Sequence, residues 1–291
     1  MELCIISVAC CLFVVILAAV KLYELSIKRP FVSNVKLDGK TVIVTGANTG
    51  LGFWTALDLA SRGARVILAC RNLQKAEDAR KKILKELQSN CDVIVRHLDL
   101  SSMKSVRQFV RETFEQESRL DILINNAAVS DLLKNSAPSR IVNLTSVMNT
   151  FGHLNCDDLQ AKGHYDPFSA YKNTKLMNVL FTKELARRLE GTGVTTSCVH
   201  PGLAATDIFR SLRIANIVGP LISLFFKTAK DGAQTTIYCA LSEEMQDAKG
   251  EYMSDSQVYD KTVWINKDAY DEGLCKKLWE TTEAILESIE S

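Results

Sequence analysis

The chain has 291 residues, of which 47% are hydrophobic and 24% are charged. A chain of this length can bury a complete hydrophobic core and fits one large domain better than two small ones. Its formal net charge of +1 excludes a strongly basic, nucleic-acid-binding domain. Nine cysteines and four histidines lack the spacing of a metal site, so we expect reduced thiols, structural or exposed histidines and no metal.

An apolar run occupies residues 3–20 and is just long enough to cross the hydrocarbon core of a bilayer as a helix. We therefore predict a membrane anchor over residues 1–22. A cleaved signal peptide or a buried N-terminal helix is the alternative, but the positively charged segment that would open a signal peptide is missing. Lys21, Lys28 and Arg29 follow the run, and this excess of positive charge predicts that the rest of the chain lies on the cytosolic side.

Residues 23–38 are predicted to be a linker, and residues 39–291 a single domain. Within that domain, buried-strand runs alternate with helical stretches, which is typical of a parallel sheet covered by helices on both faces. The predicted fold class is α/β, a doubly wound, Rossmann-like parallel sheet preceded by a transmembrane helix. The predicted strands are 41–45, 65–70, 93–98, 120–125, 140–145 and 195–199, and the predicted helices are 51–61, 73–88, one from the capping Ser101 or Ser102 to about 116, and 169–188.

A glycine-rich turn joins the first predicted strand to the first helix. Gly46, Gly50 and Gly52 lie in the context in which such glycines let backbone N–H groups and a helix N-terminus approach a dinucleotide pyrophosphate. A tight turn without a ligand is the alternative. Arg71 follows the second strand, where an acidic residue would favour the unphosphorylated cofactor. An arginine there favours a 2′-phosphorylated cofactor, the alternative being a solvated surface charge.

Tyr171 and Lys175 are four residues apart in the last long predicted helix, so the phenol and the ammonium lie on the same face about one turn apart. An ordinary tyrosine, with a pKa of about 10, is a poor proton carrier near neutral pH, and an adjacent positive charge favours its ionised form. The pair is therefore a candidate proton-transfer site. A helix tyrosine with a chance lysine neighbour is the alternative.

Several short motifs accompany these features: TGANTGLG at 45–52, Asp99 after the third strand, NNA at 125–127, Ser146, YKNTK at 171–175, and Pro201 with Gly202. Together they resemble a known family, the short-chain dehydrogenase/reductases. Longer stretches, such as 137–143, 175–181 and 193–196, are similar to its membrane-anchored retinol dehydrogenase group over nearly the whole predicted domain.

The resemblance implies a role for each matching residue. Tyr171 would exchange a proton with the substrate oxygen, Lys175 would promote ionisation of Tyr171 and hold the nicotinamide ribose, and Ser146 would hydrogen-bond the reacting carbonyl. Hydride would pass to or from the nicotinamide of NADP(H). The implied cofactor-binding residues are Tyr171 and Lys175 together with Gly46, Asn48, Thr49, Gly50, Leu51, Gly52, Arg71, Asp99, Leu100, Asn125, Pro201 and Thr206.

A second apolar run, residues 214–226, is too short to span a bilayer and contains Gly219 and Pro220. This region covers the substrate in the family, so the resemblance implies an apolar substrate, a retinoid or another lipid-derived alcohol or aldehyde. A core-facing helix is the alternative. The implied location is the endoplasmic reticulum membrane with the domain facing the cytosol, or a mitochondrial membrane. A non-catalytic, membrane-anchored protein that binds the cofactor is the alternative function.

The chain departs from the family between two predicted strands, and more slightly at Ala128, where the family usually has glycine. Residues 126–139 replace a segment several times longer that carries a face-covering helix, part of the dimer contact and a proton-relay asparagine. Residues 130–136 can form at most about two helical turns. We expect impaired turnover and a stability loss of several kcal/mol, and leave the homodimer open. The side chains expected to face solvent are Ile122, Ile124, Ile141 and Leu144.

Overall fold

The computed structural model describes residues 30–125, 130–202, 227–259 and 265–290, together with the isolated positions 15, 18, 19 and 22. No helix within these residues is long and apolar enough to cross a membrane. Almost all of the predicted anchor lies outside the described residues, as do Ala128, Thr206 and the apolar run at 214–226.

A single eight-stranded sheet forms the centre of the described part of the chain, in the order β3-β2-β1-β4-β5-β6-β7-β8. All neighbouring strands are parallel except β7 and β8, which are antiparallel. The predicted α/β fold with a mostly parallel sheet is confirmed. The strands are β1 (Thr41–Thr45), β2 (Arg65–Cys70), β3 (Val93–His97), β4 (Ile122–Asn125), β5 (Ser139–Leu144), β6 (Val194–His200), β7 (Lys249–Ser254) and β8 (Gln257–Val258).

Polar side chains cap the starts of several helices. Asn72 accepts a hydrogen bond from the Lys75 amide at 2.9 Å, and Asp166 accepts one from the Ser169 amide at 2.7 Å. Such caps satisfy backbone donors that have no partner within the helix. The helices of the described residues are α1 (Gly50–Ser61), α2 (Leu73–Leu87), α3 (Met103–Gln116), α4 (Ser130–Asn135), α5 (Pro167–Arg188), α6 (Ala229–Leu241) and α7 (Glu272–Glu290).

Helices cover both faces of the sheet. On one face, α1, α2 and α6 contribute buried residues such as Leu59, Ile83 and Ile237 to a core shared with alternate strand residues. On the other face, α3, α4 and α5 pack over the remaining strand residues, with Phe109 and Leu185 buried. The strands are therefore shielded from solvent on both sides, as a parallel sheet requires.

The prediction that apolar strand residues beside the short connection face solvent is wrong. Ile122 and Ile124 are 5% and 3% exposed, because they point to the face that α1 and α6 cover, and Leu144 packs against the same core. Ile141 lies on the opposite face and is only 3% exposed. Side chains alternate along a strand, so Ile122 and Ile124 lie on the face away from the short connection and Ile141 lies on the face beside it.

The short helix α4 covers the second face in place of a longer one. Its Leu132 and Leu133 are 6% and 0% exposed and join the core that contains Ile141. Serines fix its end, because Ser136 Oγ donates to the Leu132 carbonyl at 2.7 Å and Ser139 Oγ donates to the Leu133 carbonyl at 2.8 Å. A helix of less than two turns therefore covers this part of the sheet.

Residues 30–38 run along the domain without helix or strand. The Phe31 amide donates to Gln234 Oε1 of α6 at 3.0 Å, and its ring meets the Tyr238 ring edge-on with centroids 5.3 Å apart. Leu37 is 6% exposed and belongs to the main core. This segment therefore packs against α6 and is part of the domain.

Candidate active site

The glycine-rich turn leaves the carboxyl end of β1 and enters α1. Gly46 and Gly50 have φ angles of +63° and +58°, in the left-handed region that favours glycine. The Gly46 amide donates to the Ala69 carbonyl at 2.9 Å, which holds the turn against the end of β2. The Cys70 thiol lies beneath the turn, and burial raises its pKa against the opposing effect of hydrogen bonds from the Ala47 and Asn48 backbone.

This turn fits the pyrophosphate of a dinucleotide. No described atom lies within 4 Å of the position that a Cβ would take at Gly46 or Gly50, so their backbone is open to a ligand. At Gly52, by contrast, a Cβ would lie 2.7 Å from the Gly46 carbonyl oxygen, because α1 packs directly on the turn. The first turn of α1 contains no acidic residue that would repel a phosphate. Asn48, Thr49 and Leu51 lie within the same turn and the start of α1.

Arg71 and Asp99 lie close together beyond the ends of β2 and β3. Both are exposed or half-buried, and the Leu98 amide between the strands donates to the Cys70 carbonyl at 3.1 Å. Hydrogen bonds from Ser101 hold the pKa of Asp99 below its usual range, and the Arg71 charge lowers it further. The structure therefore brings an exposed guanidinium to the end of β2, with Asp99 and the exposed Leu100 beside it.

Helix α5 carries Tyr171 and Lys175 and is fastened to the end of β5. Thr145 Oγ1 donates to the Lys175 carbonyl at 2.7 Å, and Asn178 Nδ2 donates to the Leu144 carbonyl at 2.8 Å. Lys175 Nζ reaches the same Leu144 carbonyl at 3.4 Å. The helix is thus fixed beside the strand end that leads into Ser146.

Lys175 and Tyr171 have the relative placement that their spacing predicts. Lys175 Nζ lies 5.5 Å from the centroid of the Tyr171 ring. Burial lowers the pKa of Lys175, and none of the ion pairs among the described residues involves this lysine. An anion forming at the neighbouring phenol would therefore gain a strong electrostatic partner in poorly solvated surroundings.

Ser146 lies at the start of a 3₁₀ helix, Val147–Phe151, directly after β5. Its Oγ accepts a hydrogen bond from the Met148 amide at 3.3 Å, so the hydroxyl proton remains available to a further acceptor. Leu144 and Thr145, the two residues before Ser146, both bond to α5. The structure therefore places Ser146 next to the helix that carries Tyr171 and Lys175.

The remaining predicted site residues that the structure describes lie at the same edge of the sheet, because parallel strands all end there. Asn125 ends β4, although its side chain lies outside the described part, and Pro201 with Gly202 follows β6. Ligands of open α/β sheets bind at this carboxyl edge. Within the described residues, no group of His, Cys, Asp and Glu side chains could hold a metal ion.

Several polar residues at this edge carried no assigned role in the sequence. Asn178 lies three residues after Lys175 on the same helix face, so its spacing was a usable signal. Asn149 is three residues after Ser146 and contacts its carbonyl within the same 3₁₀ helix. His200 contacts the Val147 amide from β6, 53 positions away, which no local pattern reveals. The contact of His200 was found only from the fold.

Comparisons with known proteins agree with this geometry. The short chain dehydrogenase family model matches residues 40–160. Retinol dehydrogenase 12 of Mus musculus is 39% identical over 284 positions, with 87% of this chain and 88% of the relative covered. Retinol dehydrogenase 14 of Homo sapiens is 40% identical over 296 positions, covering 86% and 87%. The chain belongs to the short-chain dehydrogenase family.

Solved structures share the fold. A crystal structure of an uncharacterized protein from Mycobacterium paratuberculosis has a TM-score of 0.66 at 29% identity, covering 86% of this chain and 94% of that chain. The Pseudomonas aeruginosa RhlG/NADP active-site complex has a TM-score of 0.57 at 22% identity, covering 76% and 96%. The second likeness bears on the fold alone.

This chain lacks some positions of its retinol dehydrogenase relatives. The alignment with the mouse protein spans 284 positions. It covers 87% of the 291 residues of this chain, which is about 253 residues. About 31 aligned positions therefore have no residue in this chain.

Proposed function

We propose that this protein is an NADP(H)-dependent oxidoreductase that interconverts an apolar alcohol and the corresponding aldehyde. The observation that carries the proposal is the attachment of α5 to the end of β5, which brings Tyr171 and Lys175 next to Ser146 at the edge that also holds the glycine turn. The Ser146 hydroxyl, the Tyr171 hydroxyl and the Lys175 ammonium at this edge are suited to exchange a proton with a substrate oxygen beside a nicotinamide.

Each side chain has a separate task in the proposed reaction. In the reductive direction, the Tyr171 hydroxyl gives its proton to the substrate oxygen, and the Ser146 hydroxyl donates a hydrogen bond to that oxygen. Lys175 stabilises the phenolate that remains. The hydride would come from a nicotinamide bound at this edge. Oxidation uses the same groups in reverse, with the Tyr171 phenolate accepting the alcohol proton.

Replacing Tyr171 by phenylalanine tests the proposal. We expect Y171F to lower turnover at least 100-fold, because a positioned acid or base contributes that much, while its Kd for NADPH stays within about threefold of wild type. Tyr165 is exposed, and Y165F serves as the matched control with turnover unchanged. Undiminished turnover in Y171F would overturn the assignment. If the wild-type protein binds NADPH but reduces no aldehyde in a broad panel, the non-catalytic cofactor-binding function replaces it.

The preference for the phosphorylated cofactor is supported by Arg71. A guanidinium at the end of β2 can pair with a 2′-phosphate through charge-assisted hydrogen bonds. We expect R71A to raise the Kd for NADPH about 10- to 100-fold and to leave the Kd for NADH nearly unchanged. Fluorescence titration measures both constants, with K82A, on the exposed face of α2, as the control. Equal weakening of both cofactors would contradict a 2′-phosphate contact.

A retinoid or another lipid-derived aldehyde is the proposed substrate, supported by retinol dehydrogenase relatives that are about 40% identical. The apolar run at residues 214–226 is proposed to cover it. A panel of retinal, medium-chain and long-chain aldehydes, and short polar aldehydes separates the possibilities. Higher kcat/KM for the polar members than for the apolar ones would reject an apolar pocket.

We propose that residues 3–20 anchor the protein in the endoplasmic reticulum membrane with the domain facing the cytosol. The apolar run and the positive charges after it support this topology. Carbonate extraction and protease protection on isolated membranes provide the test, and organelle fractionation distinguishes a mitochondrial membrane. Release of the chain by carbonate, or protection of the domain from added protease, would refute the topology.

The short connection is proposed to slow turnover rather than to unfold the domain. Its apolar neighbours are buried, but it lacks the segment that supplies a relay asparagine in the family. Purified protein should therefore melt cooperatively and bind NADPH, with turnover well below that of a full-length relative measured on the same aldehyde. Equal turnover would show that the missing segment is dispensable.

A further inference from the structure

The peptide group that links Ser146 to Val147 is held by buried side chains at both of its polar atoms. Its N–H donates to Nδ1 of His200 at 3.2 Å, and its carbonyl accepts from Nδ2 of Asn149 at 2.8 Å. His200 is 8% exposed and Asn149 is fully buried. Neither residue belongs to the Ser, Tyr and Lys set proposed to act on the substrate.

Asn149 is itself fixed by contacts from distant parts of the chain. Its Oδ1 accepts from the Asn266 amide at 3.0 Å, and its Nδ2 lies 3.3 Å from the Tyr252 hydroxyl. Asn266 also donates from Nδ2 to the Gly152 carbonyl at 2.9 Å, at the end of the same 3₁₀ helix. The side chain that holds the Ser146 carbonyl therefore has little freedom to move.

The hydrogen bonds between the Ser146–Val147 peptide and the side chains of His200 and Asn149 form a clamp. This clamp sets the direction of the serine side chain. When the Ser146 carbonyl oxygen and the Val147 amide nitrogen are both held, the ψ angle of Ser146 is fixed. This angle is 156°. The orientation of the Cα–Cβ bond relative to β5 and α5 is then fixed as well. The Oγ capping bond, at 3.3 Å to the Met148 amide, is long and would not hold the hydroxyl alone.

We propose that His200 and Asn149 are positioning residues that aim the Ser146 hydroxyl at the substrate oxygen by clamping the Ser146–Val147 peptide. This inference rests on the proposed function, since it concerns the reaction in which Ser146 takes part. A displacement of about 1 Å at a reacting group can cost up to 100-fold in rate, so a peptide clamp of this kind affects turnover directly.

His200 has to be neutral at Nδ1 to accept the hydrogen bond, and its surroundings keep it so. Burial lowers the pKa of His200 to about 4, and the nearby Asp255 and Lys227 act on it in opposite directions. The accepted bond at Nδ1 places the imidazole proton on Nε2. Near neutral pH the clamp is therefore closed.

A double-mutant cycle tests the proposal. Asparagine can place its Oδ1 near the position of the histidine Nδ1, so H200N should keep kcat within about threefold of wild type. Leucine has no acceptor, so H200L should lower kcat about tenfold while the Kd for NADPH stays unchanged. In an S146A background, H200L should lower kcat by less than twofold, because the hydroxyl that it positions is gone. H153L, at an exposed histidine of the same segment, is the control.

Either of two kinetic results would overturn the proposal: an equal loss from H200L with and without the Ser146 hydroxyl, or wild-type kcat in H200L. If H200L does not fold, N149A enters the same cycle with the same expectations. A readout independent of activity separates this proposal from the proposed function. Nitrogen-15 NMR of wild type should show His200 protonated on Nε2, and exchange of the Val147 amide should accelerate in H200L. A Nδ1-protonated His200 would reject the clamp even in an inactive protein.

Discussion

Gly52 is the residue at which the cofactor turn depends most directly on the lack of a side chain. Gly46 and Gly50 need glycine for their left-handed φ angles, whereas Gly52 needs it for space alone. The contact that a Cβ would make is with the backbone oxygen of Gly46, which cannot rotate away. The distance between the turn and α1 is therefore set by this residue.

We expect G52A to lower the free energy of unfolding by about 1–3 kcal/mol, as overpacking does, and to weaken NADPH binding at least tenfold because the turn must move. Urea denaturation and fluorescence titration measure the two effects. G273A is the matched control, since its Cβ would meet only a side-chain oxygen, Asp271 Oδ1, at 3.2 Å. Unchanged NADPH affinity in G52A would show that the turn does not contact the cofactor.

At the scale of elements, α4 is the shortest α-helix of the described residues, and it covers part of one face of the sheet. Two buried leucines and two serine hydrogen bonds are enough to close the sheet face between β4 and α5. Because Leu133 is completely buried, we expect L133A to lower the free energy of unfolding by about 2–4 kcal/mol. Urea denaturation measures this loss. The control is N135A, because Asn135 is exposed at the end of the same helix. A loss below about 1 kcal/mol would mean that α4 contributes little to the core.

The elements that the sequence predicted well are those whose own residues specify them. Strands β1 and β2 contain unbroken apolar runs at 42–44 and 66–70, and α5 is a long helix that begins after the capping Asp166. Strand β7 was missed because its sequence, KGEYMS, has no apolar run and is defined by pairing with β6. Helix α6 was missed because it contains glycine and two threonines and is held by contacts with α1.

The candidate site divides in the same way. The spacing of Tyr171 and Lys175 follows from helix geometry alone, and the glycine turn follows from its place between β1 and α1. The burial of Ile122 and Ile124 was predicted incorrectly because their face depends on the register of β4, which one short strand does not reveal. The clamp on Ser146 requires β6 to lie beside β5, a contact between residues more than fifty positions apart.

At the scale of the whole molecule, His200 links stability to pH. Its pKa in the folded protein is about 4, against 6.5 for an ordinary histidine, so the unfolded chain binds more protons between these values. Stability is therefore complete above about pH 6.5 and decreases as the pH falls toward 4, by up to roughly 3 kcal/mol. Urea denaturation of wild type and H200N at several pH values measures this contribution. Identical pH dependence in the two proteins would show that His200 does not titrate as inferred.

The attachment of Phe31 to α6 limits how far the domain can move if residues 3–20 span a membrane as proposed. Residues 21–30 then connect the membrane to the domain, and ten residues extend to at most about 35 Å. The domain would stay within about one domain diameter of the bilayer surface. A substrate dissolved in that bilayer would be met by diffusion in two dimensions, and its concentration in the lipid, not in water, would determine how often the site is filled.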